Sequence, residues 1–245
     1  MESITSPAVA RLPRAYLRVA GPDAADYLQR MVSNDVEALA VGESCEALLL
    51  TAKARVIAPL RVIRRAADDF LLLTEPELGE TARAELVRMR FAAKAEIEAE
   101  EHESWVVLGG EEVLDERPAG EEVDEERLER WRIESGIPRW GREIDDRILP
   151  AEAGLDETHV SFSKGCYPGQ EPIARQRYRG KVNRRLRVLE IDGEAQPDDE
   201  LVLDGKKVGR ITSAVPGLAL AYVRVEVPAD AQLEVGAKPG FARLR

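Results

Sequence analysis

Cysteine, histidine and aromatic residues are scarce in this 245-residue chain: two cysteines, two histidines and 5% aromatics. Two cysteines exclude a disulfide framework, and they exclude a four-thiolate cluster site built by this chain alone. Their surroundings differ. Cys45 precedes the apolar run Glu46-Ala47-Leu48-Leu49-Leu50-Thr51 and reads as a small packing residue, whereas Cys166 sits among glycines in a polar segment. The histidines, His102 and His159, have no ligand spacing to each other or to a cysteine, so no metal site is expected. No apolar run approaches the ~18 residues of a membrane helix, and Met1 to Pro13 lack the apolar centre of a secretory signal. A cytoplasmic protein without a membrane partner is the expectation. Internal repeats and low-complexity linkers are also absent.

Charge is abundant and unevenly placed. The formal net charge of −11, from 35 basic and 46 acidic residues, opposes general nucleic-acid binding, and no direct DNA binding is expected. Glu111 to Glu129 carries ten acidic residues. Pro172 to Leu189 has no Asp or Glu but contains Arg175, Arg177, Arg179, Lys181, Arg184, Arg185 and Arg187. These cations either form a local anion-binding surface or pair with the acidic run.

Period and punctuation predict the elements. Residues 14–20 read as a strand. Gly21-Pro22-Asp23 gives a turn and N-cap, and Ala24, Tyr27, Leu28, Met31 and Val32 recur at helical spacing. Strands are predicted at 46–51 and 55–63 around a tight Ala52-Lys53-Ala54 turn, with Pro59 at an edge or bulge because it cannot donate to a ladder. Further strands are predicted at 70–73, 94–100 and 105–108, a helix over 76–89, and a short charged helix over 125–134. Strands and helices without a strict βαβ repeat indicate an α+β fold with a largely antiparallel sheet over 1–183. From 184 to 245 only short strand candidates appear, with Asp204-Gly205 as a hairpin signal, which predicts a small antiparallel β-barrel or sandwich.

The chemistry-bearing run is Lys164-Gly165-Cys166-Tyr167-Pro168-Gly169-Gln170-Glu171-Pro172-Ile173-Ala174-Arg175. Its glycines permit positive φ and close approach of a ligand, and Pro168-Gly169 favours a type II turn. Lys164 and Arg175 are placed to stabilise a thiolate at Cys166. Composition alone equally allows a Gly-Pro turn that happens to contain a cysteine.

This run, Lys164-Gly165-Cys166-Tyr167-x-Gly169-Gln170-Glu171, resembles the signature of the YgfZ family, relatives of the glycine-cleavage T-protein. Other blocks support the resemblance in register. They are Gly21-x-Asp23-Ala24-x-x-Tyr27-Leu28-Gln29 with Ser33-Asn34-Asp35-Val36, and Leu50-Thr51-x-Lys53-x-Arg55-Val56-Ile57. Next come Arg132-Ile133-Glu134-Ser135-Gly136-Ile137-Pro138 with Glu143-Ile144, then Leu149-Pro150-x-Glu152-Ala153-Gly154-Leu155, and finally Gly209-x-Ile211-Thr212-Ser213 with Ala219 to Arg224.

The resemblance implies a T-protein-like folate-binding region followed by a barrel, with tetrahydrofolate or a derivative as ligand. It implies Glu134 as the carboxylate that accepts from the pterin ring. Asn34, Lys164, Gly165, Tyr167, Gly169, Gln170, Glu171 and Arg175 are its further cofactor-binding residues. The folate glutamate tail is expected at Arg175, Arg177 or Arg179. Cys166 is the implied functional residue, and the implied partners are iron–sulfur client enzymes or assembly factors, including those that modify tRNA. Two departures matter. Where the T-protein hairpin carries an aspartate pair that assists aminomethyl transfer, this chain reads Ile57-Ala58-Pro59-Leu60, which offers no acid or base. The family's hairpin glycine is Ala54 here. An accessory role in iron–sulfur maintenance therefore leads, with a folate-dependent one-carbon transferase and a non-catalytic RNA or protein adaptor as the alternatives.

Overall fold

A computed structural model describes residues 7–180, 182–236 and 240–245. The chain forms fifteen described strands and four α-helices in two sheets and a barrel. The first sheet contains β2 (Ala15–Ala20), β3 (Ser44–Leu50), β4 (Val56–Ala66), β5 (Asp69–Thr74) and β6 (Glu96–Glu100), in the order β3-β4-β5-β2-β6, with every pair antiparallel. One face is covered by α1 (Ala24–Met31) and α2 (Gly79–Met89). The helical spacing read from Ala24, Tyr27, Leu28 and Met31 is the reason: all four are buried against Leu49, Ala58, Phe70 and Leu72 of the sheet.

Two local expectations are refined. Asp23 precedes α1, but its carboxylate accepts from the Lys94 backbone N–H at 2.8 Å and makes no side-chain cap to the helix. Pro59 lies in a central strand, yet the β4–β5 ladder begins only at Arg61↔Leu73, and the Pro59 carbonyl accepts from Thr74 Oγ1 at 2.7 Å. The missing N–H thus faces no ladder partner.

A second, smaller sheet joins β1 (Ala8–Leu12), β7 (Ser104–Val107), β8 (Glu112–Leu114) and β9 (Glu121–Glu122) in the order β8-β7-β1-β9, with β1 and β9 parallel. The acidic, turn-rich stretch after residue 109 supplies β8 and β9. Glu112 is held there by Arg14 through two hydrogen bonds of 3.1 and 3.0 Å. Next in the chain comes α3 (Glu125–Glu134), which the Asp124 carboxylate caps by accepting from Arg127 N at 2.9 Å.

The last segment closes into a six-stranded antiparallel barrel. It comprises β10 (Arg184–Gly193), β11 (Glu200–Leu203), β12 (Lys206–Val215), β13 (Leu218–Arg224), β14 (Gln232–Val235) and β15 (Gly240–Leu244). Alternation along β13 serves two cores. Ala219, Ala221 and Val223 fill the barrel, while Leu218 and Leu220 pack on Ile133 of α3 and Tyr222 packs into the body.

The two histidines give opposite pH signatures. Burial pushes His159 down to about 4 from its ordinary 6.5. The unfolded chain therefore binds that proton more readily, and the neutral ring's contribution to stability is present above pH 6.5 and lost as pH falls toward 4. For His102, burial lowers the value, but hydrogen bonds to Glu100 (3.0 Å) and Asp115 (2.7 Å) outweigh it and raise the net value. Its contribution is lost on the alkaline side instead. His159→Gln is expected to flatten the fall in melting temperature on acidification through this window. Thermal melts with an undiminished acid slope would contradict the assignment.

Candidate functional site

The signature run passes through the turn at Pro168-Gly169 into a helix that its composition did not predict. It ends in α4 (Gln170–Arg179), so the basic stretch begins as a helix. Gly169 starts that helix in the left-handed region, at φ 84° and ψ 0°, as the second central residue of a type II turn would be. A Cβ on Gly169 would lie 2.7 Å from the Thr51 carbonyl oxygen and 3.0 Å from Ala54 Cα. The signature thus packs directly on the β3–β4 hairpin turn, where Ala54 itself sits at φ 58° and is 1% exposed. Gly165 differs, because a side chain there would meet open space.

Lys164 is buried. Its ammonium donates to the carbonyls of Gln29 (2.5 Å), Val32 (2.7 Å) and Asn34 (2.9 Å). These groups lie at the C-terminal end of α1, where carbonyls lack helical partners and the helix dipole is negative. Burial pushes the ammonium down to about 8, against the pull of Asp35, Cys45 and Glu37. Its donors are engaged away from Cys166, so Lys164 acts as a cap and not as the thiolate stabiliser suggested by sequence proximity. Tyr167 is buried with Leu48, Leu50, Val56 and Ile144, and burial raises its phenol to about 12. Between these two anchors Cys166 is exposed. Cys45 is half-buried, with burial and then Glu46 pushing its thiol up to about 11, which suits the packing role.

Asn34 ties the same region together. Its amide donates to the Glu46 carbonyl at 2.6 Å and the Thr158 carbonyl at 3.2 Å. Gln170 is half-buried at the first turn of α4, and Glu171 is exposed and paired with Arg175 at 2.9 Å. The Arg177 guanidinium lies 3.8 Å from the Phe162 ring centroid. Lys181 and the Arg179 side chain lie outside the described residues. Arg184 pairs with Glu152 at 2.9 Å and Arg185 with Glu157 at 3.3 Å, while Arg187 has no ion pair among the described residues. None of the described ones pairs with the acidic run at 111–129.

Glu134, at the end of α3, is exposed and accepts from Arg245 at 2.9 Å through Oε1. It is not brought to Cys166 by any described contact. Its free carboxylate oxygen and exposed position fit an acceptor for a ring with adjacent N–H donors, and Arg175 fits an anionic tail.

A second glutamate was invisible as a special residue in sequence. Glu143 is 0% exposed. It accepts from Arg132 Nη1 (3.0 Å), the Arg139 backbone N–H (3.1 Å) and Ser213 Oγ (2.7 Å), and its carbonyl accepts from Tyr222 Oη at 2.7 Å. Ser213 and Tyr222 belong to the barrel, so Glu143 joins barrel to body. The only sequence signal was its place in the third block of the resemblance.

The comparisons agree with this architecture. Residues 183–244 match the family model of the CAF17 C-terminal β-barrel domain. An uncharacterized protein of Haemophilus influenzae is 26% identical over 89% of this chain and 88% of its own length. The tRNA-modifying protein YgfZ of Edwardsiella ictaluri is 26% identical over 89% of this chain and 85% of its own. The crystal structure of the glycine cleavage system aminomethyltransferase T from Bartonella henselae superposes with a TM-score of 0.82 at 18% identity, covering 97% of this chain and 84% of that one. This likeness speaks to the fold. Over most of its length the chain is thus similar to a tRNA-modifying protein YgfZ and, in fold, to the aminomethyltransferase of glycine cleavage.

Proposed function

We propose that this chain is a tetrahydrofolate-binding accessory protein of tRNA modification that serves iron–sulfur enzymes in the cytoplasm through Cys166. The observation that carries the reading is the presentation of Cys166. Its thiol is exposed on a short segment whose two ends are fixed by the buried Lys164 and Tyr167. A packing cysteine would be buried. An exposed thiol on a rigid mount is suited to meeting a partner. The relative named a tRNA-modifying protein supplies the process.

Glu134 and Arg175 are the residues that would hold the folate, with Arg245 and Glu171 as the pairs each must exchange. When bound, folate supplies a one-carbon carrier. The stretch Ile57-Ala58-Pro59-Leu60, where the resemblance expects a transferase's carboxylates, has none, which favours the accessory role over aminomethyl transfer. One thiol leaves the other ligand positions of a cluster to a client or a small thiol.

The test is complementation of a strain lacking the protein, reading the thiolated nucleosides of total tRNA by mass spectrometry. Cys166→Ser is expected to give the level of the empty vector while its melting temperature stays within about 1 °C, because the side chain is exposed. Full restoration by the serine variant would refute a role for the thiol.

A further inference from the structure

A hollow of about 480 Å³ lies between α4 and the barrel, lined among others by Asp156, Phe162, Gln176, Arg177 and Arg185. A second, of about 130 Å³, opens at the barrel mouth beside Arg187, Arg224 and Arg245. The two adjoin at Val225, which lines both and is 47% exposed. Arg185 and Arg187 stand on the same face of β10, about 7 Å apart by strand rise, and carry the cationic lining from one hollow into the other.

Three features of this pair of hollows suit a nucleic-acid strand. First, it concentrates five arginines in a chain of net charge −11. Arg177 and Arg187 have no ion pair among the described residues, and the carboxylates on the others (Glu157, Glu226 and Glu134) are well exposed and exchangeable. Second, it offers stacking surfaces. Arg177 already lies against Phe162, its guanidinium 3.8 Å from the ring centre. Bases stack on such aromatic and guanidinium planes with little sequence preference. Third, Asp156 Oδ1 is buried in the lining with no hydrogen-bond partner among the described residues. A buried acceptor left unmatched is costly, and a small turn of the side chain that opened Oδ1 to the hollow would let it accept from a base N–H.

We propose that this pair of hollows binds a single-stranded segment of RNA, with Arg185 and Arg187 on phosphates, the Phe162–Arg177 stack against a base, and Asp156 accepting from a base N–H. The proposal rests on the tRNA-modification reading above and supplies its RNA contact. Its far end reaches Arg245, the partner of Glu134, so strand and folate would occupy neighbouring positions.

The test is fluorescence anisotropy with a labelled single-stranded RNA oligonucleotide of mixed sequence across a salt series, beside calorimetric titration of monoglutamyl tetrahydrofolate. The double variant Arg185→Ala/Arg187→Ala is expected to weaken RNA binding roughly tenfold and to make the log–log salt slope shallower by about 1.4. Its folate titration should match that of the parent protein. Asp156→Ala should weaken RNA binding severalfold without lowering the melting temperature, since it removes an acceptor that has no partner in the free protein. No RNA binding by the parent protein, or binding that survives both variants, would overturn the proposal. So would a protein partner captured through these arginines in the absence of RNA binding. Loss of folate binding by the parent protein would instead count against the reading of the folate site.

Discussion

Replacing Glu143 with alanine is expected to lower the free energy of unfolding by about 3 kcal/mol, toward the low end for breaking a buried ion pair by removing one partner. The carboxylate is fully buried and matched on both oxygens, by Arg132 and the Arg139 N–H on one and Ser213 on the other. Its removal leaves the Arg132 guanidinium buried. Glu129 still accepts from that guanidinium at 2.9 and 2.8 Å, which moderates the loss. Depriving Ser213 and Arg139 of their acceptor adds to it. Glu143→Gln keeps the volume and one acceptor, so a smaller loss is expected. Urea unfolding followed by the fluorescence of Trp131 and Trp140, both close to the network, measures this. A loss under about 1 kcal/mol for the alanine variant would show that barrel and body are held together by other contacts.

Gly169→Ala is the second large effect, with an expected loss of about 3 kcal/mol. Part of it is conformational, because a left-handed backbone costs an alanine roughly 1 kcal/mol or more. The rest is steric. The added Cβ would stand 2.7 Å from a backbone oxygen of the β3–β4 turn, and that turn is itself fixed by Ala54 at positive φ. Neither backbone can move cheaply, so α4 must shift away from the hairpin and carry Cys166 with it. Gly165→Ala meets open space and serves as the control, with a loss within about 0.5 kcal/mol for an uncrowded exposed site. Chemical denaturation of the two variants decides the matter, and equal losses would contradict the close packing at Gly169.

Much of this architecture was legible in sequence wherever one periodicity dominated. The α1 stripe, the β3–β4 hairpin and the short strands from 184 onward follow apolar spacing and turn residues, and the structure places them close to where these signals fall. Helix α4 was not legible. Of its ten residues only Ile173 is buried among those described, so no apolar stripe announces it, and Gly169 and Pro172 read equally well as a loop. In fact a glycine before the helix and a proline in its first turn are compatible with a helix start. Strands β1, β9 and β15 are short and pair with strands distant in sequence, and β8 is a three-residue strand in the acidic stretch.

The candidate site divides the same way. Cys166 was singled out by its signature and is exposed, but Lys164 and Asn34 turned out to bind backbone carbonyls of α1, β3 and the loop before His159. A run read as ligand-binding is in large part a brace for its own cysteine. Glu143 stayed hidden because a glutamate among charged residues is ordinarily at the surface. Only the tertiary meeting of Arg132 and Ser213 distinguishes it.

The central claim is that a folate site at Glu134 and the thiol at Cys166 are separate parts of one accessory protein. Calorimetric titration of tetrahydrofolate into the intact protein, into Glu134→Ala and into Cys166→Ser tests it most directly. The expected result is saturable binding by the intact protein, preserved in Cys166→Ser and abolished in Glu134→Ala. No binding by the intact protein, or undiminished binding by Glu134→Ala, would contradict it.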